Sequence, residues 1–561
     1  MSVMRRSQRS SARTVAALLG LVLIGTGVLG FVGAPQALAA GAVHAPLVGS
    51  GSTWSANALQ AWIRNVWANY QWKITYSESG STQGRNDFMN GTSDFGVSEI
   101  PYGIANSNEA DTRPERPFAY MPIVAGGTAF MYNLDIGGHR VTNLRLSGET
   151  IAKIFTGTVT RWDDALIKAD NPELALPSIP IVPVVRSDGS GATAQVSIWL
   201  RQEHAAEWDA YCPKVGRELV NGHCGVTSNF PVVPGTGFVA RSGSNGVAGY
   251  VAQSHAVGAI TFVEYSYALN SGFPVAKVLN NAGYYAEPTA QNVAVALLSA
   301  RINEDVTSPD YLTQDLSGVY TSADARTYPL SSYSYSILPT ALGSGFTEDK
   351  GRTLADFGAY FLCEGQMSAE VLGYSPLPIN LVQAGQKQIQ KIPGGDPVIK
   401  GINDCNNPTF SPDGSNKLAN EAPQPPACDK KGATQCTSGT GGAKDTPTAP
   451  TGGGPAAGGA AGADGSTPGG SGDAAGDAGT GSSGGGGNSS VIDADAAPVI
   501  IAATPQSIPA PSVGVLPSVA MLGAGGGLLA FAAVPPLLGK RARKTLLSSP
   551  TRGSPSSTPK D

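Results

Sequence analysis

Of the 40 aromatic residues in this chain, 38 lie between Trp54 and Phe410. A core is built from aromatic and branched apolar side chains, so only that stretch of the 561 residues can support one. Glycine is distributed the opposite way: 21 of the 60 residues from Lys431 to Ser490 are glycine, with no triplet period. A segment of that kind cannot bury enough apolar surface to offset its conformational entropy. The sequence predicts a folded body over residues 41–400 and a Gly/Ala/Ser-rich tether over 401–512.

The two ends read as address and anchor. Residues 1–40 have the pattern of a secretory signal peptide: Arg5, Arg6, Arg9 and Arg13, then an apolar run from Val15 to Val32, then Ala37-Leu38-Ala39-Ala40 as a cleavage site. Residues 513–538 carry no charge and are long enough to cross a bilayer. Lys540, Arg541, Arg543 and Lys544 open a short cytoplasmic tail, 539–561, as the positive-inside rule expects. The expected location is the cell surface, with an exported body held to the membrane by a C-terminal transmembrane helix.

All six cysteines then fall outside the cell, where an even count favours disulfides. Six cysteines allow fifteen pairings. Neighbour pairing is the expectation: Cys212–Cys224, Cys363–Cys405 and Cys428–Cys436. With no Cys-x-x-Cys pair or adjacent histidine, neither a metal nor a cofactor is expected. The net charge of −5, and the lack of a basic stripe in the folded region, argue against nucleic acid as a partner. A small anion needs only a few local donors and stays open.

Within the body, short apolar runs alternate with helical patterns, which indicates an α/β fold. Leu59, Trp62, Ile63 and Val66 mark one face of a helix. Lys73–Ser77, Asp94–Ser98 and Ile179–Val185 read as strands, and Gln83–Asn90 and Gly191–Leu200 as helices. Three loops that precede helices are alike: Gly51-Ser52-Thr53-Trp54, Gly80-Ser81-Thr82-Gln83 and Asp188-Gly189-Ser190-Gly191. Each Ser or Thr could simply cap its own helix. Three such loops, one following Arg186, instead suggest helix N-termini gathered around an oxyanion.

These residues resemble the phosphate-binding proteins of ABC phosphate importers, the PstS-like group of periplasmic-type binding proteins. The resemblance starts at Gly49-Ser50-Gly51-Ser52-Thr53-Trp54 and runs through Gly80-Ser81-Thr82 and Asp94-Phe95-Gly96-Val97-Ser98. It continues over Leu146-Ser147, Ile154-Phe155-Thr156-Gly157, Trp162-Asp163-Asp164 and Arg186-Ser187-Asp188-Gly189-Ser190-Gly191. Val263-Glu264-Tyr265 and Tyr374-Ser375-Pro376-Leu377-Pro378 complete the series. It implies a two-lobed type II binding-protein fold with a hinge. Lobe 1 would take about 43–119 and 265–400, and lobe 2 about 120–264.

Carried over by position, the resemblance gives Thr53, Trp54 and Ser81 as donors to inorganic phosphate, with Ser190 and Gly191 on the third loop. Arg186 supplies the full positive charge and Asp188 holds it. Glu99 stands where the family has an aspartate that accepts the proton of hydrogen phosphate, and Ala192 replaces a donating threonine. The implied function is phosphate capture for import, with ABC permease subunits as partners.

No catalysis is expected. His44, His139, His204, His223 and His255 sit in no triad or metal spacing, and Ser190 lacks a Gly-x-Ser-x-Gly frame. The alternatives are a surface-anchored oxyanion sensor or adhesion module without transport, and an exported hydrolase.

Overall fold

Short strand–loop–helix units account for the first part of the fold. Strand β1 (Leu47–Gly51) leads to helix α1 (Ala56–Tyr70), β2 (Ile74–Ser77) to α2 (Ser81–Met89), and β3 (Phe95–Ser98) follows. In α1, Leu59, Trp62 and Val66 are buried along one face. The helix stops at Gln71, whose left-handed backbone returns its N–H to the Trp67 carbonyl. This computed structural model describes residues 44–109, 111–396 and 405–448. All of them belong to one of the two compact units of the chain, Met1–Ala460.

The longest strand, β4 (Phe118–Tyr132), is followed by β5 (Val182–Arg186), α3 (Gly191–Glu203), β6 (Val239–Arg241), α4 (Gly243–Val251) and β7 (Ala259–Glu264). Next come α5 (Tyr265–Ser271), β8 (Val275–Leu279), α6 (Ala290–Leu297), β9 (Ser331–Pro339), α7 (Glu348–Leu362) and α8 (Ile379–Ile389). The main sheet runs β6-β5-β7-β4-β9-β3-β1-β2. Strands β1, β2 and β3 are parallel at one end, as are β5, β6 and β7 at the other. Antiparallel β4 is common to both halves: Phe118 to Gly127 pairs with β9, and Thr128 to Tyr132 pairs with β7. Pro122 has no N–H to give the ladder, and the β4–β9 register shifts opposite Ser334 and Tyr335 at this point.

The chain thus changes halves at Gly127 and Thr128, later than the 119/120 boundary expected from sequence. Strand β8 pairs with Phe130 and Met131 of β4, so residues after 264 stay with the second half instead of returning at once. Glycine is required at the crossing, because a Cβ on Gly126 would lie 2.7 Å from the Trp54 ring. Strand β5 starts at Val182, three residues after its expected start at Ile179, because Pro180 makes only an isolated bridge, to Arg161.

The tether expectation is corrected over residues 405–448, which fold onto the body. The Cys363–Cys405 disulfide secures the start of this strap. A short helix, α9 (Lys417–Asn420), packs Leu418 and Ala419 against Ala290, Ala294 and Val295 of α6. Lys277 Nζ meets both oxygens of Asp429 at 2.8 and 2.7 Å, and Arg145 donates to the carbonyls of Cys428, Gly432 and Thr434. Thr440, Thr446 and Thr448 bond to Thr142, closing the strap on the second half of the sheet. Composition hid this because the strap is held by backbone carbonyls, hydroxyls and disulfides, without an aromatic core of its own.

The three disulfides are Cys212–Cys224, Cys363–Cys405 and Cys428–Cys436, the neighbour pairing expected. No helix among the described residues is long and apolar enough to cross a membrane. The signal peptide at 1–40, the rest of the tether, the span at 513–538 and the tail at 539–561 lie outside the described residues.

Candidate functional site

At the carboxyl end of a parallel strand the chain turns into a helix whose first N–H groups lack partners within it. Four such turns meet here. They are the β1–α1, β2–α2, β5–α3 and β6–α4 connections, two from each half of the sheet. Gly80 adopts a φ of 92°, and a Cβ there would lie 2.7 Å from Asp188 Oδ2, so the second and third loops touch across the halves.

Arg186 ends β5 with its side chain almost wholly buried. Its Nε donates to Asp188 Oδ1 at 2.7 Å and its Nη2 to Asp188 Oδ2. The remaining edge turns to the first loop, where Nη1 donates to Thr53 Oγ1 at 2.8 Å. Burial would raise the Asp188 carboxyl, but Arg186 and the Gly243 N–H, 2.9 Å away, hold it below its ordinary value. The guanidinium is thereby fixed in plane.

Glu99 comes from the end of β3 and is 1% exposed. Its Oε1 accepts from Ser52 Oγ and from Ser334 Oγ at 3.0 Å, and its Oε2 accepts from Ser81 Oγ at 2.7 Å. Ser81 Oγ in turn accepts the Gly191 N–H at 3.1 Å, which links the second loop to the third. A Cβ on Gly191 would fall 2.0 Å from Glu99 Oε2, so only glycine lets this carboxylate lie against the start of α3.

The sequence-derived residues are therefore brought together, with different degrees of directness. Thr53, Arg186 and Asp188 form one connected group, and Ser81, Glu99 and Gly191 a second. Ser190 caps α3 by accepting from Thr193 N, so here the capping role expected of a lone serine also holds. Trp54 contributes its backbone N–H to Ser52 Oγ at 3.0 Å, and its indole donates to Thr128 Oγ1 at 3.2 Å, at the strand crossing. Ala192 is buried, and the buried hydroxyl of the adjacent Thr193 has no partner among the described residues.

Sequence reasoning missed Ser244, whose Oγ lies 2.8 Å from Thr53 Oγ1 and whose N–H donates to it at 3.2 Å. The signal was present, since Ser242-Gly243-Ser244 repeats the Gly/Ser pattern of the other loops before a helix. Ser334 left no such trace, because a serine inside a strand has no local pattern that tells which carboxylate it will face. Among the described residues, no group of three or more His, Cys, Asp or Glu side chains is placed to hold a metal ion.

A sheet whose parallel strands deliver helix N-termini to a common point is a ligand-binding architecture. A family model described as a PBP superfamily domain matches residues 33–364. A phosphate-binding protein PstS of Xylella fastidiosa is 31% identical over 338 residues, covering 60% of this chain and 82% of the relative. The PstS of Methanocaldococcus jannaschii is 28% identical over 348 residues, covering 61% of this chain and 85% of the relative. A solved, phosphate-bound periplasmic phosphate-binding protein aligns with a TM-score of 0.46 and 19% identity, over 63% of this chain and 100% of that one. The chain belongs to the PBP superfamily, among its PstS-like phosphate-binding proteins. Its fold is the periplasmic-binding-protein-like α/β fold of that superfamily.

Proposed function

We propose that this protein captures inorganic phosphate outside the cell for ABC-type import, without chemical turnover. The observation that carries this reading is the pairing of a clamped guanidinium, Arg186, with a buried acceptor carboxylate, Glu99, between Gly/Ser loops from both halves of the sheet. The two halves act as lobes that meet over the anion, with the hinge at the Gly127–Thr128 crossing. On binding, Thr53, Ser81 and Ser190 and the N–H groups of Trp54 and Gly191 exchange their present partners for anion oxygens. Arg186 Nη1 does the same, while Asp188 stays on the far edge of the guanidinium.

Glu99 supplies the selectivity. Hydrogen phosphate carries a proton that a carboxylate can accept, whereas sulfate near neutral pH presents only lone pairs to it. A site that leaves such a pair unmatched discriminates by about 10⁴- to 10⁵-fold in analogous cases. The buried Glu99 carboxylate already takes hydroxyl donors on both oxygens, which supports a role as acceptor. Export and anchoring by the C-terminal span belong to the same proposal, with the permease as the partner that receives the anion.

Titration calorimetry on the full chain tests the reading. Phosphate should give saturable heat between pH 5 and 8, and sulfate in excess should not compete. Glu99→Gln should narrow the gap between the two anions, since an amide can donate to sulfate. Absence of heat with phosphate across that range overturns the function, and unchanged selectivity in Glu99→Gln overturns the account of Glu99.

A further inference from the structure

Glu109 lies outside the anion loops, on the connection between β3 and β4, which belongs to the first half of the sheet. Among the described residues, the hydrogen bonds to its carboxylate come from residues 227–229 of the second half. Thr227 Oγ1 donates to Oε1, as does Ser228 N at 3.0 Å, while Ser228 Oγ donates to Oε2 at 2.6 Å. Asn229 Nδ2 adds a longer contact at 3.3 Å. The neighbouring backbone joins in, with Val226 N donating to the Asn106 carbonyl at 2.8 Å.

The 227–229 loop is also hydrogen-bonded to the loops of the anion site. The Ser228 carbonyl receives the Ser190 N–H at 2.8 Å, and Ser228 Oγ receives Thr82 Oγ1 at 3.0 Å. A cavity of about 330 Å³ beside Glu99 is lined by Ile100, Ile104 and Asn106 of the first half and by Gln195, Ile198 and Val226 of the second. Burial would raise the Glu109 carboxyl, but donors from Ser228 and Thr227 outweigh it and hold the group below its ordinary value.

We infer that Glu109 is a positioning residue that keeps the two lobes closed over the bound anion without touching it. This rests on the proposed phosphate function, which supplies the anion. With the lobes apart, water replaces the four donors, so the carboxylate favours the closed state only by the difference between the two environments. The effect belongs in the dissociation step, because the lobes must part before the anion leaves.

Two measurements on the full chain separate this inference from the function beneath it. Stopped-flow kinetics with phosphate should show dissociation on the order of tenfold faster in Glu109→Ala and about threefold faster in Glu109→Gln. The association rate should change by less than about threefold. Wild-type dissociation retained in Glu109→Ala overturns the clasp while leaving phosphate capture intact. The second measurement needs no phosphate: spin labels on Thr92→Cys and Lys214→Cys report the distance between the halves. Glu109→Ala should move that distribution to longer distances, and superimposable distributions overturn the clasp. If the wild-type chain fails to bind phosphate, the proposed function falls and the label distances alone decide on Glu109.

Discussion

Arg186 is a buried cation whose charge is met on one edge by Asp188 and offered on the other to Thr53. Replacing it with alanine removes the full countercharge that Arg186 offers the anion in the proposed site and leaves Asp188 without its cationic partner. Losing one member of a buried pair costs about 3–5 kcal/mol. Arg186→Ala should therefore weaken phosphate binding at least ~100-fold in calorimetry. Retention within a few-fold would show that the anion is held elsewhere. Glu264 is the contrasting carboxyl. It is fully buried, accepts from Ser266 N at 2.8 Å to cap α5, and its Oε1 has no partner among the described residues. Burial outweighs the Ser266 hydrogen bond and pushes its pKa well above the ordinary value. Because the folded value is the raised one, its contribution to stability is complete below the unfolded pKa, about 4.3. It is lost as pH rises through the folded value. Glu264→Gln, neutral throughout, should match wild type in Tm near pH 4.5 and exceed it increasingly toward pH 8. A difference in Tm that does not change with pH would refute this reading of Glu264.

At the level of elements, the strand–loop–helix units that build the site were legible because glycine and serine at helix starts have a local physical meaning. The loops at Ser52, Ser81 and Ser190 could be read that way, and so could the overlooked Gly243–Ser244 turn. Pairing between the halves could not. That Glu99 would meet Ser334, or Thr53 would meet Ser244, depends on a register set by β4 and β9 far along the chain. The strap was illegible for a different reason, since its stability comes from contacts with Arg145, Lys277 and Thr142 of the body, not from its own composition. Gly191 tests the close approach of two elements. Gly191→Ala should weaken phosphate binding by about tenfold or more, because the new methyl displaces Glu99, as overpacking of a tight site costs about 1–3 kcal/mol. Wild-type affinity in this variant would mean that Glu99 does not need its place against α3.

For the whole molecule, the folded body extends to at least Thr448, not to residue 400. A chain ending at residue 400 would leave Cys363 without Cys405 and Lys277 without Asp429. Lys277 is 9% exposed, so its uncompensated charge is costly. Such a truncation should lower Tm by on the order of 10 °C in scanning calorimetry. Asp429→Ala in the full chain provides the milder version, with a fall of about 5 °C or more. Tm values equal to wild type in both would show that the strap lies on the body without supporting it.

The order of contacts along the strap gives the molecule a mechanical grain. Tension arriving from beyond Thr448 would load the Thr142 contacts of Thr448 and Thr446 first, and that of Thr440 afterwards, one after another as in a zipper. Force that peeled the strap past Asp429 and α9 would next reach Cys405, whose covalent bond to Cys363 passes it to the end of α7. The strands that aim the anion loops lie off this path. A body pulled by its tail would shed its strap, bond by bond, before the geometry around Arg186 felt the load.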